Sequence, residues 1–216
     1  MSIAQVSEAF SDPLELLGAA LHAGLGGTLI EVEAQSLSPS LQTRRGAFVT
    51  LLKGGSLRGS MGTFWPIHRH AGREVVWSGL QAALNDVRFP PLAASELDEI
   101  EGVVDLIDDP KPISIDDVDK VAAVLVEISG VQAVILPAMP RMKIGDISVL
   151  GGPGFTSFSS LAGIFTEISA SSGQSSLVKR IIEVIGGGKK HSLWGARCER
   201  FYGPLRRRQP GDLNGI

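Results

Sequence analysis

The sequence of 216 residues contains a single cysteine, Cys198. One thiol cannot form an internal disulfide, and alone it cannot hold an iron–sulfur cluster or a cysteine-rich zinc site. No apolar run reaches the ~20 residues of a membrane-spanning helix. The first ten residues also lack the basic flank and apolar stretch of a secretory signal. We therefore expect a cytoplasmic protein that does not contact membranes.

A strong charge of either sign is also missing. The net charge is -3, with 44% hydrophobic and 20% charged residues, so composition predicts a globular chain with no overall attraction to nucleic acid. Basic and aromatic residues do mix near the C-terminus, as in single-stranded RNA-binding surfaces. The aromatic residues also fit the core of a final strand, and the basic ones a solvated tail, so we do not expect nucleic acid as a partner. These residues are Lys189, Lys190, Trp194, Arg197, Arg200, Phe201, Tyr202 and Arg206 to Arg208.

Motifs for phosphate and metal are incomplete. In the run Gly186-Gly187-Gly188-Lys189, the earlier glycine of a phosphate loop is replaced by Glu183, and Lys190 stands where serine or threonine is required. His68, His70 and Glu74 could supply part of a metal site, but two loop histidines are more often solvated or hydrogen-bonded. We predict no metal site, and the sequence assigns no cofactor.

The order of elements indicates an α+β fold: a mixed or antiparallel sheet with flanking helices, arranged as two lobes around a cleft. Asp12 and Pro13 are typical of a helix start, and glycines 24, 26 and 27 end this first helix. An apolar stripe that runs from Val76 to Val87 predicts a helix over 73–88. Further helices are predicted at 157–170 and 175–185, and strands at 28–33, 102–107, 121–128, 131–136, 146–150 and 192–202.

Two β-prone runs, GAFVTLLK and SLRGSMGTF, flank Gly54-Gly55. This pattern predicts a hairpin, because glycine provides the positive φ of tight turns. Both faces of its first strand are apolar, so we expect that strand to be central.

The second strand of the hairpin holds the main candidate site, Leu57 to Phe64. Arg58 beside glycine suits recognition of a carboxylate or phosphate. Ser60 lies between Gly59 and Gly62, so a ligand could approach the backbone, and His68 or His70 could act as a base for a serine nucleophile. In the alternative, both glycines permit close packing and Ser60 is not catalytic.

The segments at 46–64 and 78–92 together resemble the AMME chromosomal region candidate family, also called AmmeMemoRadiSam system protein A. The resemblance rests on LRGSMGTF, on DVRFPPL, on Glu96-Leu97, and on the later segments VVDLIDDPKPI and GVQAVILP, in that order. It covers about residues 46–140. It implies a single domain over 1–216, with a divergent C-terminal lobe at 141–204 and a flexible tail at 205–216.

The family cysteine is replaced by Ser60, and the proline of the DPRF motif by Val87. Serine is the weaker nucleophile unless a base activates it. The biochemical function of the family is not established, and its gene neighbours resemble a radical enzyme and a dioxygenase-like protein. The resemblance implies the site residues Arg58, Gly59, Ser60, Gly62, Thr63, Asp86 and Arg88.

Two hypotheses follow from the sequence. In the first, the chain binds a small anionic molecule in a cleft formed by LRGSMGTF and DVRF, and it could be an enzyme of unknown reaction with Ser60 as catalytic residue. In the second, it is a non-catalytic interaction or scaffold module for a partner enzyme encoded nearby. The environment of Arg58 separates them: it either faces solvent in a cleft or is buried against backbone carbonyls.

Overall fold

The computed structural model describes residues 2–6, 10–128, 131–136, 149–150, 178–179, 181–183 and 190–205. Helices and sheets in these ranges confirm the predicted α+β class. The chain divides into two compact units, Met1–Leu106 with Glu199–Ile216 and Ile107–Cys198. The predicted domain bounds and the predicted cleft stay predictions.

The elements have the following bounds. The helices are α1 (Pro13–Leu25), α2 (Pro39–Gln42) and α3 (Ala71–Leu84), with short 3-10 helices at Ala34–Ser36, Ala94–Glu99 and Ile115–Lys120. The strands are β1 (Ser2–Val6), β2 (Thr28–Val32), β3 (Gly46–Lys53), β4 (Ser56–Thr63), β5 (Ile100–Ile107), β6 (Lys111–Pro112), β7 (Ala123–Ile128), β8 (Val131–Ile135), β9 (Val149–Leu150), β10 (His191–Ala196) and β11 (Cys198–Pro204).

The first unit contains a four-stranded sheet in the order β11-β5-β3-β4. The predicted hairpin is confirmed: β3 and β4 pair antiparallel, and Gly54 and Gly55 adopt φ values of 57° and 76° between them. The prediction that β3 is central is also confirmed, since it lies between β5 and β4 and residues 46–52 are buried. β4 is the last strand of this sheet, so its outer edge needs other hydrogen-bond partners.

Helices α1 and α3 pack with the sheet in one apolar core. Asp12 caps α1 as predicted, accepting the Leu14 N–H at 2.8 Å. The buried residues of this core include Leu17, Leu21, Val49, Leu51, Val75, Leu80 and Val104. Removal of this apolar surface from water is the main term that stabilises the unit.

Helix α3 starts and ends earlier than predicted. His70 caps its first turn, because its Nδ1 accepts the Arg73 N–H at 3.2 Å. Burial, reinforced by the positive charge of Arg73, lowers the pKa of His70 and favours the neutral ring that this contact needs. The predicted extension to residue 88 is wrong: the helix ends at Leu84, and Val87 is 93% exposed instead of joining the apolar stripe.

The second unit contains a five-stranded sheet in the order β6-β10-β7-β8-β9. The predicted β7–β8 hairpin is confirmed. The single strand predicted at 192–202 is wrong, since β10 ends at Ala196 in this sheet while β11 belongs to the sheet of the first unit. Both halves of that segment favour β structure and no turn residue separates them, so the sequence does not show the change of sheet.

Several predictions fall partly or wholly outside the described residues. These are the helix at 157–170, most of the helix at 175–185, and residues 146–148 and 206–216. Leu205, predicted to begin a frayed tail, is buried, and its N–H donates to the Ile100 carbonyl at 3.2 Å. No helix among the described residues has both the length and the apolarity to cross a membrane.

Candidate functional site

The outer edge of β4 is covered by two side chains that follow α3. The Ser60 N–H donates to Asp86 Oδ2 at 2.8 Å, and Arg88 Nη2 donates to the Ser60 carbonyl at 3.5 Å. Arg88 also donates to both oxygens of Asp86, at 2.9 and 2.6 Å. We call Asp86 and Arg88 the edge cap, because they occupy the backbone groups that another strand would otherwise pair with.

Asp86 is buried, with 6% of its surface exposed. Burial by itself would raise the pKa of its carboxyl group, but the hydrogen bonds from Arg88 and from the Ser60 N–H outweigh burial and hold the pKa below its ordinary value. The carboxylate therefore stays ionised at neutral pH. Asp86 and Arg88, the two residues predicted to line a ligand cleft, are bonded to each other and to the strand, and their binding of a ligand stays a prediction.

Arg58 is held by the segment that follows the edge cap. Its Nη1 donates to the Pro90 carbonyl at 3.0 Å, and Nη2 lies 3.5 Å from the Pro91 carbonyl. Its Nε and Nη2 donate to the two oxygens of Glu96, at 3.2 and 2.9 Å. Only 12% of the Arg58 side chain is exposed. Of the two environments that the sequence left open, these contacts resemble the second, since the side chain is largely covered and donates to backbone carbonyls.

Glu96 binds more than Arg58. It accepts the Ala93 N–H at 3.0 Å and lies 3.3 Å from Lys53 Nζ. We call Arg58, Glu96 and Lys53 the Arg58 cluster. The sequence indicated Glu96 only as part of the family pattern, because its partner Arg58 lies 38 residues earlier and no local pattern connects them.

The contacts of the Arg58 cluster predict that the free energy of unfolding falls at acid pH. The hydrogen bond from Arg58 is the main cause that lowers the pKa of Glu96 to about 2 from its ordinary value of 4.5. Because the folded-state pKa is the lower one, Glu96 contributes full stability above pH 4.5 and loses it as the pH falls towards 2. We expect Glu96→Gln to flatten this part of the stability–pH profile in urea unfolding. An identical slope in both proteins would contradict the prediction.

The hydroxyl of Ser60 is buried and lies 2.9 Å from that of Thr50, its cross-strand neighbour on β3. The described contacts of Ser60 are with Thr50, Asp86 and Arg88. Of the two predicted bases, His70 accepts the Arg73 N–H through Nδ1, and His68 has its Nδ1 3.3 Å from Glu74 Oε2. Catalysis by Ser60 stays a prediction. The described contacts of Ser60 are those expected of a residue with a structural role.

Gly59 and Gly62 lie at close backbone contacts. A Cβ on Gly59 would lie 2.2 Å from the Ala82 carbonyl oxygen of α3. A Cβ on Gly62 would lie 2.4 Å from the Ala47 carbonyl oxygen and 2.5 Å from the Phe48 Cα. Any side chain at either position would push β4 away from α3 or from β3. Close packing therefore accounts for both glycines without a ligand.

Thr63 belongs to a third arrangement, centred on Glu74 in the first turn of α3. Glu74 is fully buried and accepts bonds from Thr63 Oγ1 at 2.9 Å and from the N–H groups of Ile67 and His68. The His68 Nδ1 lies 3.3 Å from Glu74 Oε2, without the alignment of a hydrogen bond. The sequence suggested Glu74 only as a metal ligand, whereas in the structure it fixes the loop between β4 and α3.

Other sequence candidates also have internal contacts. Arg200 donates to both oxygens of Asp105, at 2.7 and 2.8 Å, and the Tyr202 hydroxyl donates to Glu101 at 2.8 Å. These two members of the late basic and aromatic stretch thus bind carboxylates of their own unit. Across the part of the chain that the structure describes, no three histidine, cysteine or acidic side chains are grouped as a metal site would require.

Comparisons with known proteins identify the family and the fold. Residues 19–145 match the model of the AMMECR1 family. The match begins 27 residues before residue 46, where the resemblance predicted from motifs begins. A Thermotoga maritima protein is 40% identical over 88 residues, which cover 40% of this chain and 51% of that protein. A Clostridium acetobutylicum protein is 37% identical over 76 residues, or 35% of this chain and 16% of that protein.

An uncharacterised Pyrococcus horikoshii protein has a similar solved structure. Its TM-score is 0.60 at 19% identity, with 91% of this chain and 94% of that chain covered. This likeness shows the fold alone. The chain spans about half the length of the Thermotoga relative and less of the Clostridium one, so their whole activities do not transfer to it.

Proposed function

The chain belongs to the AMMECR1 family, and from that premise we propose that it is a non-catalytic module that binds a protein partner. In this proposal the segment Leu57–Phe64 is the structural frame of the module and not a reaction centre. A partner encoded by a neighbouring gene is the first candidate.

The environment of Arg58 carries the proposal. Its guanidinium group is mostly buried and is bound by Glu96 and by the Pro90 and Pro91 carbonyls. A guanidinium that holds a substrate needs donors directed into an accessible space, and these donors are directed at the chain itself. The edge cap supports the same interpretation, because Arg88 binds Asp86 and the Ser60 carbonyl.

Co-purification tests the proposal. We would express the tagged chain together with the products of its neighbouring genes and measure complex formation by size-exclusion chromatography with light scattering. We expect at least one product to co-elute with the wild-type chain at a fixed stoichiometry. If none co-elutes, and the chain instead turns over or tightly binds a small molecule, the proposal is wrong.

A small carboxylate or phosphate ligand remains the second candidate, because Glu96 already binds Arg58 through both oxygens, as a ligand carboxylate would. A specific ligand at about 100 times its Kd would stabilise the fold by about 2.7 kcal/mol. That is about 5–10 °C in Tm for a chain of this length. A metabolite that gives this shift in wild type and in Lys53→Ala, but not in Arg58→Lys, would favour the second candidate over the first.

A further inference from the structure

We infer that the loop at residues 65–69, the Trp65 loop, is the surface that binds the partner, and that it takes an acidic segment with apolar anchor side chains. The inference deepens the proposed function and rests on it. Three properties of the loop carry it: its exposed apolar side chains, its fixed backbone and its charge.

Two large apolar side chains project from this loop. Trp65 is 41% exposed and Ile67 is 60% exposed, with Pro66 between them. The neighbouring Phe64 is buried and meets the Trp65 ring edge-to-face, with 6.0 Å between ring centroids. Single exposed apolar residues are common on proteins, but here an exposed tryptophan and an exposed isoleucine lie only two residues apart on one short loop.

The backbone of the Trp65 loop is bound from two sides. Glu74 accepts the N–H groups of Ile67 and His68, as described above. Arg44 donates to the Pro66 carbonyl at 2.9 Å and to the His68 carbonyl at 3.4 Å. A loop that is ordered before binding loses less conformational entropy on association, which favours affinity. A fully buried carboxylate therefore fixes a loop in which Trp65, Ile67 and Arg69 are exposed.

The exposed charges at the loop are positive, although the buried carboxylate of Glu74 lies against the loop backbone and the chain as a whole carries -3. Residues 65–69 include no carboxylate, and both Arg69 and the adjacent Arg44 are exposed. Arg73 is also exposed but is paired with Glu31 at 3.0 Å. Apolar anchors with two cations beside them complement a segment in which acidic residues flank apolar ones.

A tryptophan next to arginines could also stack on a nucleic-acid base. Ile67 favours a protein partner, because its aliphatic side chain is the more exposed of the two anchors and offers no ring for stacking. Nucleic acid is therefore an outcome for the test to exclude.

The test uses the full chain and a phage-displayed library of random linear peptides. Peptides enriched on wild type would be synthesised with a fluorescent label, and their Kd measured by anisotropy. We expect enriched sequences in which Asp or Glu flank Leu, Phe or Trp. Trp65→Ser and Ile67→Ser should each weaken binding about tenfold or more, as at an interface hot spot. Arg69→Glu should weaken it and reduce its salt dependence.

Two exposed positions outside the loop provide matched controls. Val87→Ser removes an apolar side chain that is 93% exposed, and Arg197→Glu reverses an exposed charge. Neither should change the Kd more than about twofold, within the ~0.5 kcal/mol typical of neutral surface changes.

The outcomes separate this inference from the proposed function. Peptides that bind wild type and the loop variants equally would overturn the role of the loop and leave a protein-binding module intact. If no peptide is enriched on wild type, the inference about the Trp65 loop is wrong. If co-purification also fails, the proposed function is wrong too. Binding of labelled oligouridylate that Trp65→Ser abolishes would replace the protein partner with nucleic acid.

Discussion

Glu74→Ala is expected to lower the free energy of unfolding by about 3–5 kcal/mol, because three hydrogen-bond donors lose their shared acceptor. The carboxylate is fully buried and accepts the N–H groups of Ile67 and His68 and the hydroxyl of Thr63. A fully buried donor left without an acceptor costs about 1–3 kcal/mol, and these three partly buried donors fall in the lower half of that range. Urea unfolding followed by far-UV circular dichroism measures the loss.

Glu74→Gln is the matched control. A glutamine oxygen in place of Oε1 could still accept both backbone N–H groups, and Thr63 could rotate its hydroxyl to accept from the amide nitrogen. We expect this variant to lose only about 1 kcal/mol, as for one altered hydrogen bond. An alanine variant as stable as the glutamine variant would show that Glu74 does not hold the loop.

Much of the first unit can be predicted from short stretches of sequence. Asp12 and Pro13 specify the start of α1, and Gly54-Gly55 specifies the β3–β4 turn. Both signals are local: a cap and a turn depend on residues only a few positions apart. The nearly continuous apolar run along β3 likewise predicts a strand covered on both faces, and residues 46–52 are buried.

The end of α3 could not be predicted in this way. Val87 continues the apolar spacing of the helix, so a periodic pattern extends the helix to residue 88. The chain leaves the helix after Leu84, and the Asp86 carboxylate binds the Ser60 N–H, 26 residues earlier in sequence. A contact with the edge of β4 competes with helical propensity there, and a single sequence does not reveal it.

At the candidate site, too, local sequence signals could be read from the sequence and long-range contacts could not. An arginine beside glycine predicts a carboxylate partner, and Arg58 does bind a carboxylate, but that carboxylate is Glu96 of the same chain. Ser60 between glycines predicts backbone accessibility, while the space beside Gly59 is filled by the Ala82 carbonyl. Residue types predict the chemistry of a contact, and only the fold determines whether the partner is a ligand or the protein.

Arg58→Met is the second prediction with a large effect. It removes the hydrogen bonds to Pro90, Pro91 and Glu96 while it keeps an apolar side chain of similar length. We expect the free energy of unfolding to fall by about 2–3 kcal/mol, less than for a fully buried pair because Arg58 and Glu96 remain 12% and 22% exposed. A residue kept for ligand binding behaves differently, since its removal is often neutral or stabilising.

The most direct measurement of the central claim is a double-mutant cycle on Arg58 and Glu96, with Arg58→Met, Glu96→Gln and the double variant compared by urea unfolding at pH 7. If Leu57–Phe64 is a structural frame, both single variants lose stability. The double variant then loses at least about 1 kcal/mol less than the two losses combined, because the residues share one interaction. If Arg58→Met is as stable as wild type, or more stable, and the two changes are additive, then Arg58 is held for a ligand and the account is wrong.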